Sequence, residues 1–205
     1  MILLVRHGET AGNASRVFQT PETPLSEVGL AQARRLAARL ASRPLAAIVS
    51  SDLARARMTA EAVGAATGLP LALDPGLQER NFGDLRGTAY AELDVDPFAP
   101  DYVPPGGESW DALHARTDAA WERVVERARG LAGDLVVVTH GLVCHSLVSR
   151  RLALAAGLEP PRGFANTSLT EVGPEPPWRV GLLNCVAHLE SPDSTRTEDR
   201  AGLEA

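Results

Sequence analysis

The sequence predicts an α/β fold, a largely parallel sheet with helices on both faces, from two observations. Short apolar runs at residues 2–5, 46–49 and 71–73 alternate with longer stretches of helical period, the β-α-β-α-β order of such folds. Two apolar runs also end alike: residues 2–5 lead into Arg6-His7-Gly8, and residues 135–138 lead into Thr139-His140-Gly141. Ligands in open α/β sheets gather beyond the carboxyl ends of strands, so both histidines stand where chemistry is expected.

Taken in order, residues 2–5 form a buried strand because the run is continuously apolar and closed by a glycine. Pro24-Leu25-Ser26 opens a helix that Ser26 caps, with Leu30, Ala33, Leu36, Ala37 and Leu40 on its apolar face and Arg34, Arg35 and Arg39 in solvent. After the strand at 46–49, Ser50-Ser51-Asp52 is expected to cap a helix over about 53–67, which Gly68-Leu69-Pro70 ends. Residues 77–109 break the alternation with prolines, glycines, acids and the aromatics Tyr90, Phe98 and Tyr102. A loop of that length in a compact domain is usually functional, so a lid-like insertion is expected at about 77–115. A helix over 110–129 stops at Gly130 and Gly133. The second histidine strand follows, then a helix over about 142–156 and strands over 165–172 and 178–189. The polar, charged tail at 190–205 is expected to be disordered, leaving one domain over 1–189.

The 205 residues allow one substantial core, and 44% hydrophobic with 22% charged residues is ordinary for a globular protein. A net charge of −6 argues against nucleic acid, which demands a basic footprint. No apolar run reaches membrane-spanning length, and the N-terminus lacks the pattern of a signal peptide, so a cytoplasmic protein without membrane partners is expected. Cys144 and Cys185 lie far apart and read as free thiols. All 20 basic residues are arginine. The absence of lysine excludes Schiff-base chemistry and leaves the better bidentate phosphate ligand as the only permanent side-chain cation. No HExxH, Walker A or GxGxxG pattern occurs, so neither metal nor nucleotide cofactor is expected.

Arg6-His7-Gly8 with His140-Gly141 resembles the histidine phosphatase superfamily, also called phosphoglycerate mutase-like. Further stretches match its motifs in order over roughly residues 1–190. They are Ser51-Asp52-Leu53-Ala54-Arg55-Ala56 with Thr59-Ala60; Glu79 with Phe82-Gly83 and Gly87; Pro105-Gly106-Gly107-Glu108-Ser109; and Asn166-Thr167-Ser168. The resemblance implies a three-layer α/β/α sandwich and a metal-independent phosphatase acting on small phosphomonoesters through a phosphohistidine.

It assigns the nucleophile to His7, phosphate clamps to Arg6 and Arg55, a phosphoryl contact to His140 and the proton-transferring carboxyl to Glu79. Without it, His7 reads as a buried strand-end histidine and Glu79 as a surface loop acid. Asn13, Gln19, Gly8 and Gly141 are expected near the phosphate, although Thr20 follows Gln19 where relatives carry glycine. Arg57, about 200° around the helix from Arg55, reads as a surface charge. His114 and His145 read as structural, and His188 resembles a late His-Leu signature with no assigned chemistry.

Mutases of the family hold a substrate carboxylate with extra cationic groups, whereas residues 87–115 carry six acids and no arginine. Hydrolysis is therefore favoured over mutase-type transfer, with a silent phospho-ligand binder as a further alternative. If that segment overhangs His7, its acids and aromatics favour an apolar, neutral or cationic leaving group; alternatively the acids face water. The physiological ester and the oligomeric state are left open.

Overall fold

The computed structural model describes residues 1–190, so the tail expected to be disordered lies, apart from Glu190, outside the described residues. The elements run in order β1 (Ile2–Arg6), α1 (Ala11–Ser15), α2 (Glu27–Leu40), β2 (Leu45–Ser50), α3 (Ala54–Thr67) and β3 (Leu71–Leu73). After a long segment holding only one-turn 3-10 helices come α4 (Trp110–Arg129), β4 (Asp134–Thr139), α5 (Gly141–Arg150), β5 (Ala153–Leu154), β6 (Leu169–Val172) and β7 (Arg179–Cys185). The strands form one sheet in the order β3-β2-β4-β1-β6-β7-β5. Strands β3, β2, β4 and β1 pair in parallel; β6 joins β1 and β7 joins β6 antiparallel.

Side-chain alternation along the strands builds the three layers. Ile2, Leu4, Leu135 and Val137 point to one face and meet Leu113, Trp121 and Val124 of α4 and Leu147 of α5. Leu3, Val5, Val136 and Val138 point to the other and meet Leu36 and Leu40 of α2 and Ala56 and Val63 of α3. A central strand buried on both faces needs an unbroken apolar run, and that is why 2–5 and 135–138 were legible. Truncating fully buried Leu36 to alanine would cost about 2–5 kcal/mol.

Helix α2 forms as read: Ser26 Oγ accepts the Gly29 N–H at 3.0 Å, and Ala33, Leu36, Ala37 and Leu40 are buried. Its Gly29 is required by a close approach, because a Cβ there would lie 2.0 Å from the Glu9 carbonyl oxygen. Four boundaries differ from expectation. Leu53, not a serine, is the N-cap of α3, and Ser51 Oγ instead accepts the Leu53 N–H at 3.2 Å. Helix α5 ends at Arg150 because the apolar residues after it pair with β7 as β5. Residues 165–168 are loop rather than strand, since Thr167 takes a left-handed φ of 55° and returns its N–H to the His7 carbonyl at 3.1 Å. Strand β7 stops at Cys185, just past Asn184 with a left-handed φ of 52°, and a 3-10 turn at Ala187–Leu189 replaces its expected end.

Candidate active site

Parallel pairing of β1 with β4 sets Arg6 opposite Thr139, so the next residue of each strand, His7 and His140, emerges beside the other. Their ring centroids lie 5.0 Å apart with planes tilted by 58°, and the residues are 2% and 0% exposed. The His7 N–H donates to the Thr139 carbonyl at 3.0 Å, tying the two strand ends together.

Neighbours set each tautomer. His7 Nδ1 lies 2.7 Å from the Gly8 carbonyl oxygen, an acceptor only, so Nδ1 carries the proton and the Nε2 lone pair is bare. His140 Nε2 lies 2.8 Å from Ser51 Oγ, which already accepts from Leu53 N. The buried serine proton therefore goes to Nε2, and His140 Nδ1–H becomes a buried donor with no protein partner. Burial first, then the charges of Arg55 and Arg6, push both imidazoles well below the ordinary histidine pKa, so both are neutral at pH 7 in the empty site.

The cations are Arg6, at the end of β1, and Arg55, in the first turn of α3. Arg6 Nη1 donates to the Phe164 carbonyl and Arg55 Nη1 to the Thr20 carbonyl at 3.2 Å. The Nε of each is buried without a partner. Burial lowers Arg6 and brings Arg55 down to about 10, leaving both charged at neutral pH. Arg6 Nε, Arg55 Nε and His140 Nδ1 are thus three desolvated donors without acceptors among the described residues; Arg6 and Arg55 line one cavity with His7, and His140 packs against the His7 ring. Each unmade bond costs about 1–3 kcal/mol, which a bound oxyanion would recover.

Glu79 meets this group from the segment before α4. Its Oε2 accepts the Leu142 N–H at 3.2 Å, at the start of α5, and its Oε1 accepts the Arg80 N–H at 3.0 Å. A Cβ on Gly141 would sit 3.5 Å from Arg6 Nε and 3.9 Å from Glu79 Oε2, so Gly141 lies between acid and clamp. Asn13 and Gln19 line the same cavity. Thr10 Oγ1 donates to Gln19 Oε1 at 2.7 Å, and Asn166 Nδ2 and Thr10 N donate to Asn13 Oδ1, so both amides have their NH2 groups left to donate. Gly8 is a correction. Its N–H donates to Thr59 Oγ1 at 3.0 Å and is not offered to a ligand, and its missing side chain admits Gly29, whose carbonyl oxygen would stand 2.7 Å from a Cβ.

Sequence reasoning missed the residues that hold Glu79 in place. Arg116 Nη1 donates to the carbonyls of Gly76 at 2.9 Å and Gln78 at 2.8 Å, while its Nε and Nη2 form a fork onto Glu108. Arg80 is 2% exposed and donates to the carbonyls of Pro97, Tyr102 and Glu108, with its guanidinium 4.3 Å from the Trp110 ring centre. His145 was read as structural, yet it is exposed and lines the cavity, one helical turn beyond Gly141. That i, i+4 spacing from Gly141 was the available signal.

Other readings resolve by position. Arg57 is exposed and, among the described residues, pairs only with Glu61 on its own helix. His114 Nδ1 bonds Ser146 Oγ at 2.8 Å. His188 receives Arg39 Nη1 at Nδ1, 3.3 Å away, and its Nε2 donates to Thr167 Oγ1 at 3.1 Å, so it braces the loop that holds the His7 carbonyl. Burial and the neighbouring arginines Arg39 and Arg35 bring it down to about 4. Arg39, expected in solvent, therefore has partners. Cys144 is buried and Cys185 half-buried, both as free thiols.

Of the segment at 77–115, Phe82, Tyr90 and Phe98 face the cavity beside Glu79, whereas the six acids of 87–115 do not. Phe82, Tyr90 and Phe98 gather around Phe18 at centroid distances of 4.3, 4.4 and 6.0 Å, and all four line the cavity. Glu92, Asp94, Asp96 and Asp101 are exposed, and Glu108 is paired with Arg116. Of the two readings of these acids, the one in which they face water holds for Glu92, Asp94, Asp96 and Asp101, while Asp111 lies on a neighbouring groove. The cavity itself holds about 200 Å3, and Glu79 is its only carboxylate among four arginines, Arg6, Arg55, Arg80 and Arg162.

Comparison with known proteins bears on the family and the fold. Residues 2–184 match the family model of the histidine phosphatase superfamily, branch 1. "Phosphoglycerate mutase-like protein 4" of Arabidopsis thaliana is 35% identical over 92% of this chain and 86% of its own. A mycobacterial glucosyl-3-phosphoglycerate phosphatase solved with inorganic phosphate superposes with a TM-score of 0.76 at 30% identity, covering 92% of this chain and 99% of that one. A phosphoglycerate mutase from Thermus thermophilus gives 0.66 at 34% identity, covering 88% and 96%. With matching motifs, the expected sandwich and relatives aligned nearly end to end, the chain belongs to the histidine phosphatase superfamily.

Proposed function

We propose that this protein is a metal-independent phosphatase that hydrolyses phosphomonoesters through a phosphohistidine on His7. The observation that carries the reading is the set of three buried donors without acceptors among the described residues, Arg6 Nε, Arg55 Nε and His140 Nδ1, on residues that neighbour His7, whose Nε2 is bare. A phosphoryl group spreads negative charge over its equatorial oxygens as it transfers, and fixed desolvated donors stabilise that charge.

The steps follow from these groups. The His7 Nε2 lone pair attacks phosphorus while the bond to the ester oxygen breaks and Glu79 gives that oxygen its proton. Water then attacks the phosphohistidine, Glu79 takes the water proton, the N–P bond breaks, and phosphate leaves with His7 restored. Neutral His7 is the nucleophilic form, so the depression of its pKa by burial and the two arginines serves the first step. The segment at 77–115 acts as a lid, its aromatic cluster shielding the cavity and Arg80 pinning it down.

The mutase names of some relatives at about one-third identity favour a second reading, phosphoryl transfer to a second hydroxyl of a small polyanion. Arg80 weighs against it, because each of its three nitrogens already donates to a backbone carbonyl, which leaves only two of its five N–H donors for a substrate carboxylate. The test is phosphate release in excess EDTA from p-nitrophenyl phosphate, alkyl phosphates and 3-phosphoglycerate, with His7→Ala alongside. Release that the variant abolishes supports the proposal. Release that requires added metal, or survives in His7→Ala, overturns it.

A further inference from the structure

Beside the phosphoryl cavity lies a wider groove of about 760 Å3, which shares Phe98, Leu142, His145 and Arg162 with it. We propose that this groove holds the alcohol half of the substrate, an alcohol bulkier than glycerate that carries a second anionic oxygen group remote from the ester. The inference rests on the phosphatase reading above.

Size is the first argument. The inner cavity of about 200 Å3 lies below the roughly 300–1,000 Å3 of sites that enclose whole small molecules. The groove falls within that range. The second argument is shape. Phe98, 37% exposed, stands in the wall common to both spaces, its ring set by Phe18, Phe82 and Tyr90. With Pro100, Trp110 and Leu142 it forms a pre-set apolar wall leading away from His7.

Charge is the third. The groove carries Arg150 and Arg162 against one carboxylate, Asp111. Among the described residues Arg162 enters no ion pair, and the exposed contact of Arg150 with Asp118 is long, at 3.4 Å, and weak. His114 contributes no charge, because burial and nearby Arg150 lower its pKa while Ser146 occupies Nδ1. Two guanidinium forks beside an apolar wall suit a carboxylate or a second phosphate on a ring-sized alcohol.

Matched aryl esters test this: 2-naphthyl phosphate, its 6-carboxy and 6-phosphonooxy derivatives, and 3-phosphoglycerate, each assayed with the native protein and with an Arg150→Gln, Arg162→Gln double variant. The native protein should favour an anionic naphthyl ester over the plain one by about tenfold in kcat/KM, the scale of one charge-assisted hydrogen bond, with 3-phosphoglycerate poorest. The two derivatives tell carboxylate from phosphate. In the double variant the preference should collapse toward one. Equal rates for plain and anionic esters, a preference that survives in the variant, or 3-phosphoglycerate as the best substrate would overturn the groove assignment alone. Hydrolysis of none of them would overturn the phosphatase reading and this inference with it.

Discussion

Acid should destabilise this fold through its two active-site histidines, by an amount that can be worked out. His7 and His140 are buried and neutral when folded, their pKa values held well below 6.5, while in the unfolded chain each titrates near that value. The unfolded state therefore binds more protons below 6.5, so stability is intact above that pH and is lost as the pH falls. A histidine that stays neutral in the fold costs about 1.2 kcal/mol between pH 7.0 and 5.5, and two cost roughly 2.5 kcal/mol. Urea unfolding at both pH values, in buffers free of phosphate and sulfate, measures the loss. A His7→Gln, His140→Gln double variant removes this share and leaves every other titrating group in place. The native protein should lose roughly 2.5 kcal/mol more than the variant on acidification. Equal losses would refute the claim that both rings are neutral in the empty site. Added inorganic phosphate should shrink the native loss, since an oxyanion among the donors favours protonated imidazole.

Three further outcomes follow from the geometry. Glu79→Gln should lower kcat/KM, which reads the transfer to His7 and not the later hydrolysis, by about 10²–10⁴ for alkyl phosphates and far less for p-nitrophenyl phosphate, whose leaving group departs without a proton; the same loss for both would remove Glu79 from the acid role. Arg80→Met deletes the donors to Pro97, Tyr102 and Glu108 and should cost about 3 kcal/mol or more, with protease cleavage appearing between residues 86 and 109. Unchanged protease resistance would show that Arg80 does not pin that segment. Gly29→Ala drives a methyl into the Glu9 carbonyl and should lower both Tm and activity, at a cost of about 1–3 kcal/mol, whereas a native-like Tm would contradict the close approach.

What the sequence disclosed was what depends on local pattern. Residues 2–5 and 135–138 are central strands covered on both faces, so burial demanded the unbroken apolar runs that marked them. Helix α4 was legible end to end because Ser109 caps it and Gly130 follows it. Helix α5 was overestimated because its stop is tertiary: residues 153 and 154 leave the helix to pair with β7. The two histidines were legible as strand-end residues, but Gly8 was misread because its N–H goes to Thr59, 51 positions away. Arg80, whose Glu79-Arg80 pair partly resembles phosphoglycerate mutases, was not read as a brace, and Arg116 was not singled out, for a similar reason. Most of their acceptors are backbone carbonyls far along the chain, which leave no side-chain signature. The six acids of 87–115 could be counted in the sequence, but whether they overhang His7 or face water could not be read there, since composition carries no direction.

The central claim is a covalent phosphoryl group on His7, and trapping it is the most direct test. The native protein turning over p-nitrophenyl phosphate would be quenched rapidly in alkali, where phosphohistidine survives, then digested and examined by mass spectrometry. The account predicts a peptide heavier by one phosphoryl group, with the modification on His7, and none in His7→Ala. A phosphoryl group on another residue, or continued turnover by His7→Ala, would contradict it.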